Sequence, residues 1–219
     1  GIFPEQLENW QWADAILNNS FDKKNPAAPK PRVLNLFGYS GGASVACAKA
    51  GAEVTHVDAS RAAISWAKEN MTASGLDEKA IRWILEDAVM FVKRELRRGN
   101  KYEGIIMDPP VFGRGAKGEV WKIERDLQPF LELCYKLLSD KPLFFILNGY
   151  ASGYSSTSYA NNLGALIEKF GGEIENGELL IQESAANSLA NIDAADKAAG
   201  TKKPTRYLSS GIVARWKKA

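Results

Sequence analysis

Between residues 33 and 172 the chain alternates short apolar runs with helix-like segments, and this alternation most constrains what it can fold into. "RVLNLFG" is followed by "GGASVACAKAG", "EVTHVD" by "SRAAISWAKENMTASG" and "IRWILED" by "AVMFVKRELRRG". "YEGIIMD" precedes "RDLQPFLELCYKLLS", and "PLFFILNG" precedes "STSYANNLGALIEKFGG". "GIIM" and "LFFIL" are apolar throughout, as strands are when both faces of a parallel sheet are covered by helices. The pattern predicts an α/β fold with a doubly wound, mostly parallel sheet. The end of the chain departs from it: "ELLIQES" and "YLSSGIVARWK" have no clear helix between them, which predicts a C-terminal antiparallel strand pair. Ser60 is the expected N-cap of its helix. Asp126 is expected to cap the segment that places Pro129 in a first turn.

At 219 residues and 45% hydrophobic content the chain can bury one sizeable core. Residues 1–32, with the amphipathic run "PEQLENWQWADAILNN" and a Pro/Lys-rich linker, are read as an N-terminal helix and linker. Residues 33–219 are read as the α/β domain. The chain opens on Gly1, and a further N-terminal domain is left open. The formal net charge of +2 permits nucleic acid as a partner without demanding it. Cys47 and Cys134 lie in helical patterns without metal spacing, and His56 is the single histidine, so no metal site is expected. A reducing, cytoplasmic setting without membrane attachment is expected; no apolar run reaches the roughly 18 residues of a span.

In doubly wound sheets ligands lie beyond the carboxyl ends of the strands. The first such loop, "NLFGYSGGAS", carries Gly38, Gly41 and Gly42, which misses the G-x-G-x-x-G dinucleotide spacing. Its glycines are expected to let the backbone approach a ligand and to leave helix N–H groups free. Asp58 ends the second strand, where an acid can accept both ribose hydroxyls of an adenosine. Asp87 ends the third; it can accept from an adenine amino group, with the Ala88 N–H toward a ring nitrogen, or cap the next helix. The series fits an adenosine and leaves a nicotinamide dinucleotide and S-adenosylmethionine both open.

The fourth strand ends in "DPPVF". Pro109 and Pro110 fix the backbone and lack N–H groups, so the turn is stiff and its carbonyls are expected to stand free beside the Asp108 carboxylate. Such acceptors suit an amino group on a planar substrate, and Phe112 could stack on that ring. Arg114, Lys117 and Lys122 in the following charged loop are expected to meet phosphates. A second basic cluster, Lys202, Lys203 and Arg206, precedes the last strand, whereas the basic residues of 93–101 are read as a solvated helix face.

With these motifs in place, "LNLFGYSGGASVACAKAGAEVTHVDAS" and "DPPVFGRGAKGEVWKIERDL" resemble the class I S-adenosylmethionine-dependent methyltransferases related to the large-subunit ribosomal RNA methyltransferases. The resemblance covers residues 1–154, with "SSGIVARW" also similar. It implies S-adenosylmethionine as cofactor and an RNA base as substrate. It implies that Phe37, Gly38, Tyr39 and Gly41 cradle the methionine part, that Asp58 and the neighbouring Ala59 meet the ribose, and that Asp87 and Ala88 meet the adenine. It also implies that Asp108, Pro109, Pro110 and Phe112 form the reacting centre. "GIFPEQLENWQW" is similar to a segment that folds over the cofactor, which makes Phe3 and Gln6 candidates. One departure concerns the acceptor: methylation of cytosine C5 needs a cysteine nucleophile, and "LNGYASGYSS" after the fifth strand has none, which favours nitrogen. The alternatives are a nicotinamide-dependent oxidoreductase and a non-catalytic cofactor- or RNA-binding module.

Overall fold

The computed structural model describes residues 3–21, 25, 28–77, 80–114, 118, 120–151, 153–183 and 205–218. The apolar runs become strands of one seven-stranded sheet in the order β3-β2-β1-β4-β7-β9-β8. They are β1 (Arg32–Leu36), β2 (Glu53–Asp58), β3 (Ile81–Leu85), β4 (Gly104–Met107), β7 (Phe144–Gly149), β8 (Glu173–Gln182) and β9 (Tyr207–Lys217). β1, β2, β3, β4 and β7 pair in parallel, and β9 pairs antiparallel with both β7 and β8. The chain winds one way from β1 to β2 and β3, then crosses back to β4, so the switch point lies between β1 and β4.

Alternation along the strands divides the core. Leu34, Leu36, Val57, Ile105, Met107, Phe145 and Leu147 join the cluster shared with α4 (Ala88–Arg97), α5 (Ile123–Leu137) and α6 (Ser156–Phe170). Val33, Val54, Ile106, Phe144 and Ile146 face α1 (Leu7–Ser20), α2 (Gly42–Lys49) and α3 (Arg61–Ala73) through Ala13, Leu17, Cys47 and Met71. Each such apolar side chain removed from water contributes about 1.5–3 kcal/mol, and together they hold the strand ends in register.

Helix starts follow local chemistry. Ser60 caps α3 by accepting from the Ala63 N–H, and Asp87 caps α4 by accepting from the Met90 N–H. α5 differs from expectation. It starts at Ile123, so Pro129 lies in its second turn, and Asp126 sits inside the helix, accepting from the Lys122 N–H at 2.8 Å. The segment before it is also more ordered than the charged-loop reading: β5 (Phe112–Arg114) and β6 (Val120–Lys122) form an antiparallel hairpin. Among the described residues no helix is long and apolar enough to cross a membrane.

Candidate functional site

Two adjoining hollows open at the carboxyl ends of β1, β2, β3, β4 and β7. One, of about 650 Å³, is lined by Phe3, Phe37, Tyr39, Asp58, Ala59, Ser60, Asp87, Trp121, Tyr150 and the turn from Asp108 to Arg114, except Phe112. The other, of about 420 Å³, shares Phe3, Phe37, Tyr39 and Asp108 and adds Gln6, Trp10, Asn35, Gly38, Ser40 and Asn148. Most of the candidate residues from the ends of the first four strands thus converge on one place.

The first loop is built differently from its glycine pattern. Besides Gly41, Phe37 and Tyr39 take positive φ angles, of 56° and 46°, a conformation that costs a side-chain-bearing residue roughly 1–2 kcal/mol. A β-carbon on Gly38 would lie 2.4 Å from the His56 ring, and one on Gly42 2.5 Å from Trp10. Gly38 therefore makes room for the buried His56 ring and Gly42 for Trp10, which lines the second hollow. Gly41, with φ 83°, serves the turn and lines neither hollow. The loop's own N–H groups are taken: Gly38 donates to Val57 O, Tyr39 to Asp58 Oδ2 and Gly41 to Gly38 O, whereas the N-terminus of α2 has no side-chain cap. Beneath the loop Asn35, Ser44 and His56 form a buried chain of hydrogen bonds, and burial pushes His56 down to about 4, which keeps it neutral.

Each strand-end acid keeps accepting capacity toward the cleft. Asp58 accepts from the Tyr39 and Ser60 N–H groups, one on each oxygen, which fixes its plane and leaves a lone pair on each oxygen. Asp87 spends Oδ1 on its cap, and Oδ2 has no partner among the described residues. Ala88 is buried and does not line the cleft. Asp108 receives no hydrogen bond on its carboxylate from the described residues. Burial, with the Glu5 carboxylate adding to it, pushes its acid up to about 7.

The double-proline turn needs two corrections. The Pro110 carbonyl is not free: Trp121 Nε1–H donates to it at 2.7 Å. Tryptophan carries a donor that must be satisfied when buried, and the hairpin brings it under the turn. Phe112 is 52% exposed and lies on the hairpin outside the cleft lining, because the strand pairing of Phe112 with Lys122 carries it to the rim. Arg114 lines the cleft, Lys122 is exposed beside Phe112, and Lys117 lies outside the described residues.

Sequence reading missed Glu5, Tyr150, Asn148 and the lining role of Trp121. Asn148 near the end of the fifth parallel strand and Tyr150 just after it occupy the same topological place as the acids, and that position was the available signal. Gln6 Nε2 donates to Tyr150 Oη at 2.8 Å, and Tyr150 Oη donates to Glu5 Oε1 at 3.3 Å. Asn9 Nδ2 donates to both Gln6 Oε1 and Asn148 Oδ1 at 2.9 Å. Arg215 reaches Asn9 and Glu8 and lies 5.4 Å over the Trp12 ring. This network pins the N-terminal segment against β7 and β9, with Phe3 at the mouth of both hollows.

The fold and the site define a class. The profile of the S-adenosylmethionine-dependent methyltransferases matches residues 12–153, and the chain belongs to that family, which sets aside the nicotinamide alternative. Over 109 residues it is 41% identical to the ribosomal RNA large subunit methyltransferase K/L of Shewanella frigidimarina, covering 49% of this chain and 15% of that protein. Over 136 residues it is 29% identical to the ribosomal RNA large subunit methyltransferase K of Neisseria meningitidis serogroup B, covering 61% of this chain and 38% of that protein. The crystal structure of a SAM-dependent methyltransferase from Agrobacterium tumefaciens matches with a TM-score of 0.84 at 41% identity, covering 100% of this chain and 64% of that one. The chain thus spans well under half of these curated relatives and somewhat less than two thirds of the solved one.

The site's chemistry fits the family's cofactor. Carboxylate oxygens with spare lone pairs on Asp58 and Asp87 and the aromatic walls of Phe37 and Tyr39 line a hollow of about 650 Å³, within the roughly 300–1,000 Å³ common for small-molecule sites.

Proposed function

We propose that the chain transfers the methyl group of S-adenosylmethionine to a ring or exocyclic nitrogen of an RNA base, with ribosomal RNA as the substrate. The observation that carries this reading is the Asp108 carboxylate, half-buried without a donor at the switch-point strand end beside Pro109. The similarity to ribosomal RNA large subunit methyltransferases supports RNA.

Bound there, the cofactor supplies an electrophilic methyl group. Asp58, its carboxylate plane fixed and Ala59 beside it, receives the ribose hydroxyls. Asp87 accepts an amino hydrogen through Oδ2, with Ala88 at the start of its helix. Phe37, Gly38 and Tyr39 shape the wall for the methionine part, and Gly41 holds the turn that presents them. Residues 1–32, through Phe3 and Gln6, cover this part of the site, and residues 33–219 carry the catalysis. Asp108 and the Pro109 carbonyl accept hydrogen bonds from the acceptor amine and so hold its lone pair in line. With its acid near 7, Asp108 is also basic enough to take the proton released as the nitrogen is alkylated. Pro110, tied to Trp121, stiffens the turn. Phe112, Arg114 and Lys122 meet the RNA at the rim, where cations oppose phosphates, and Lys117 adds a further cation for phosphate.

Nitrogen is favoured over carbon 5 because the latter needs a thiolate in the cleft. Cys47 and Cys134 are buried away from it; burial pushes the Cys47 thiol up to about 12 and Cys134 well above its ordinary value. Incubation with radiolabelled S-adenosylmethionine and total RNA, followed by nucleoside analysis, tests the proposal. An N-methylated nucleoside is expected. Labelled 5-methylcytidine would overturn the nitrogen assignment, and unlabelled RNA the substrate.

A further inference from the structure

The acceptor base needs a flat surface beside Asp108, and Phe112 does not line the cleft. We infer that the ring of Tyr150 is the platform on which that base stacks, which makes Tyr150 the residue that positions the acceptor nitrogen against Asp108. This rests on the proposed methylation of an RNA base.

Placement comes first. β4 and β7 are paired neighbours, with Met107 opposite Leu147, so the segments carrying Asp108 and Tyr150 leave the sheet side by side. Both side chains line the same hollow. Fixation comes second. The Tyr150 hydroxyl is held twice, accepting from Gln6 and donating to Glu5. Behind the ring stands Gly211 of β9: a β-carbon there would lie 2.9 Å from Tyr150 Cε1, so the ring packs directly on the strand backbone. An aromatic anchored at its hydroxyl and backed by backbone has little orientational freedom left, yet Tyr150 remains 39% exposed. The uncovered ring surface is therefore presented, not left over by loose packing.

The other aromatics of the cleft are committed elsewhere. Phe37 packs against Trp121 and Phe130, and Trp121 is buried. Tyr39 and Phe3 touch each other and belong to the first loop and the N-terminal segment, away from the paired ends of β4 and β7; Phe3 also tilts toward the Tyr150 ring at 6.3 Å and so borders the platform. Burial also pushes the Tyr150 phenol up, with the Asp108 and Glu5 charges adding to it, so the ring stays neutral and keeps both hydroxyl contacts. Stacking on such a surface accepts any base and leaves the choice of atom to Asp108 and Pro109.

The test measures initial rates of methyl transfer to total RNA, with S-adenosylhomocysteine affinity determined by calorimetry on the same preparations. Tyr150→Leu fills the space without an aromatic face. Its transfer rate should fall about 10- to 100-fold, while S-adenosylhomocysteine affinity stays within about threefold. Tyr150→Phe keeps the face and loses the clamp, and should restore the rate to within about fivefold of wild type. If the Leu variant matches wild type, or if Phe is as damaged as Leu, the ring is not the platform. Loss of S-adenosylhomocysteine affinity in parallel with rate would place the ring against the cofactor and also overturn the inference. Wild-type protein that leaves RNA unlabelled would instead defeat the functional reading itself, before any variant is compared.

Discussion

Asp108 and Glu95 are carboxyl groups at opposite ends of the parallel strands, and the protein treats them oppositely. Glu95 lies near the starts of β1, β2 and β3, in a hollow of about 490 Å³ lined by Arg32, Glu53, Arg82, Asn100 and Tyr102. It is fully buried and saturated: Tyr102 Oη and Asn100 Nδ2 each donate at 2.8 Å, Arg98 Nη1 lies at 3.4 Å and Arg82 Nη1 at 3.9 Å. Burial alone would raise its acid, but these donors and cations outweigh it and hold Glu95 below the usual carboxylate range. Asp108 has burial without the donors, and its acid rises to about 7. A satisfied buried charge stabilises the fold; an unsatisfied one at a ligand edge stores free energy that a substrate hydrogen can release.

Substitutions can break this contrast. Asp108→Asn should give the largest effect, lowering methyl transfer about 100-fold or more while cofactor affinity by calorimetry stays within a few-fold. Its effect on stability should have the opposite sign. A raised folded-state value means the native protein still holds this proton where the unfolded chain has lost it. Wild-type stability from this group therefore declines as pH rises from about 4 through 7. Urea denaturation at pH 8 should find Asp108→Asn more stable than wild type by about 3 kcal/mol, the gap closing toward pH 4. Equal stability at both pH values would show that Asp108 is not strained.

Glu95→Gln should destabilise by about 3 kcal/mol in the same assay, because it strips the charge from a buried, hydrogen-bonded cluster. Its transfer rate per folded molecule should stay at the wild-type level. A lowered folded-state value means that the stability Glu95 contributes is present above its unfolded value and is lost as pH falls through the folded one. The wild type should thus lose this advantage over Glu95→Gln only in acid. Asp58→Ala comes next. It should weaken cofactor binding by about 2 kcal/mol in calorimetry, since the carboxylate is proposed to meet the ribose and fastens the Tyr39 and Ser60 N–H groups. Unchanged affinity would remove Asp58 from the site. Tyr102→Phe should cost the fold only about 1 kcal/mol by urea denaturation, the loss of one of several donors to Glu95.

Much of the cleft was legible because the alternation of apolar strands with helices locates strand ends, and ligands gather there in doubly wound sheets. Asp58, Asp87 and Asp108 were found that way. The glycines of the first loop were legible as a turn but not in purpose. Nothing local says that Gly38 must clear His56, Gly42 must clear Trp10, or that Phe37 and Tyr39 take the left-handed backbone. The hairpin was read as a loop because its three-residue strands are too short to show a period. With it went the bond from Trp121 to Pro110 and the displacement of Phe112 to the rim.

By itself the sequence determined the class of fold, the order in which strand and helix alternate, and which acids end the strands, because these follow from local period and chain order. The tertiary structure alone decided which of those acids would be saturated and which left wanting a partner. It also decided which proline carbonyl stays free and which aromatic faces the cleft. Those outcomes depend on residues brought together from far apart, such as Glu5, Asp108, Tyr150 and Gly211, whose burial and hydrogen bonding exist only once the sheet is assembled.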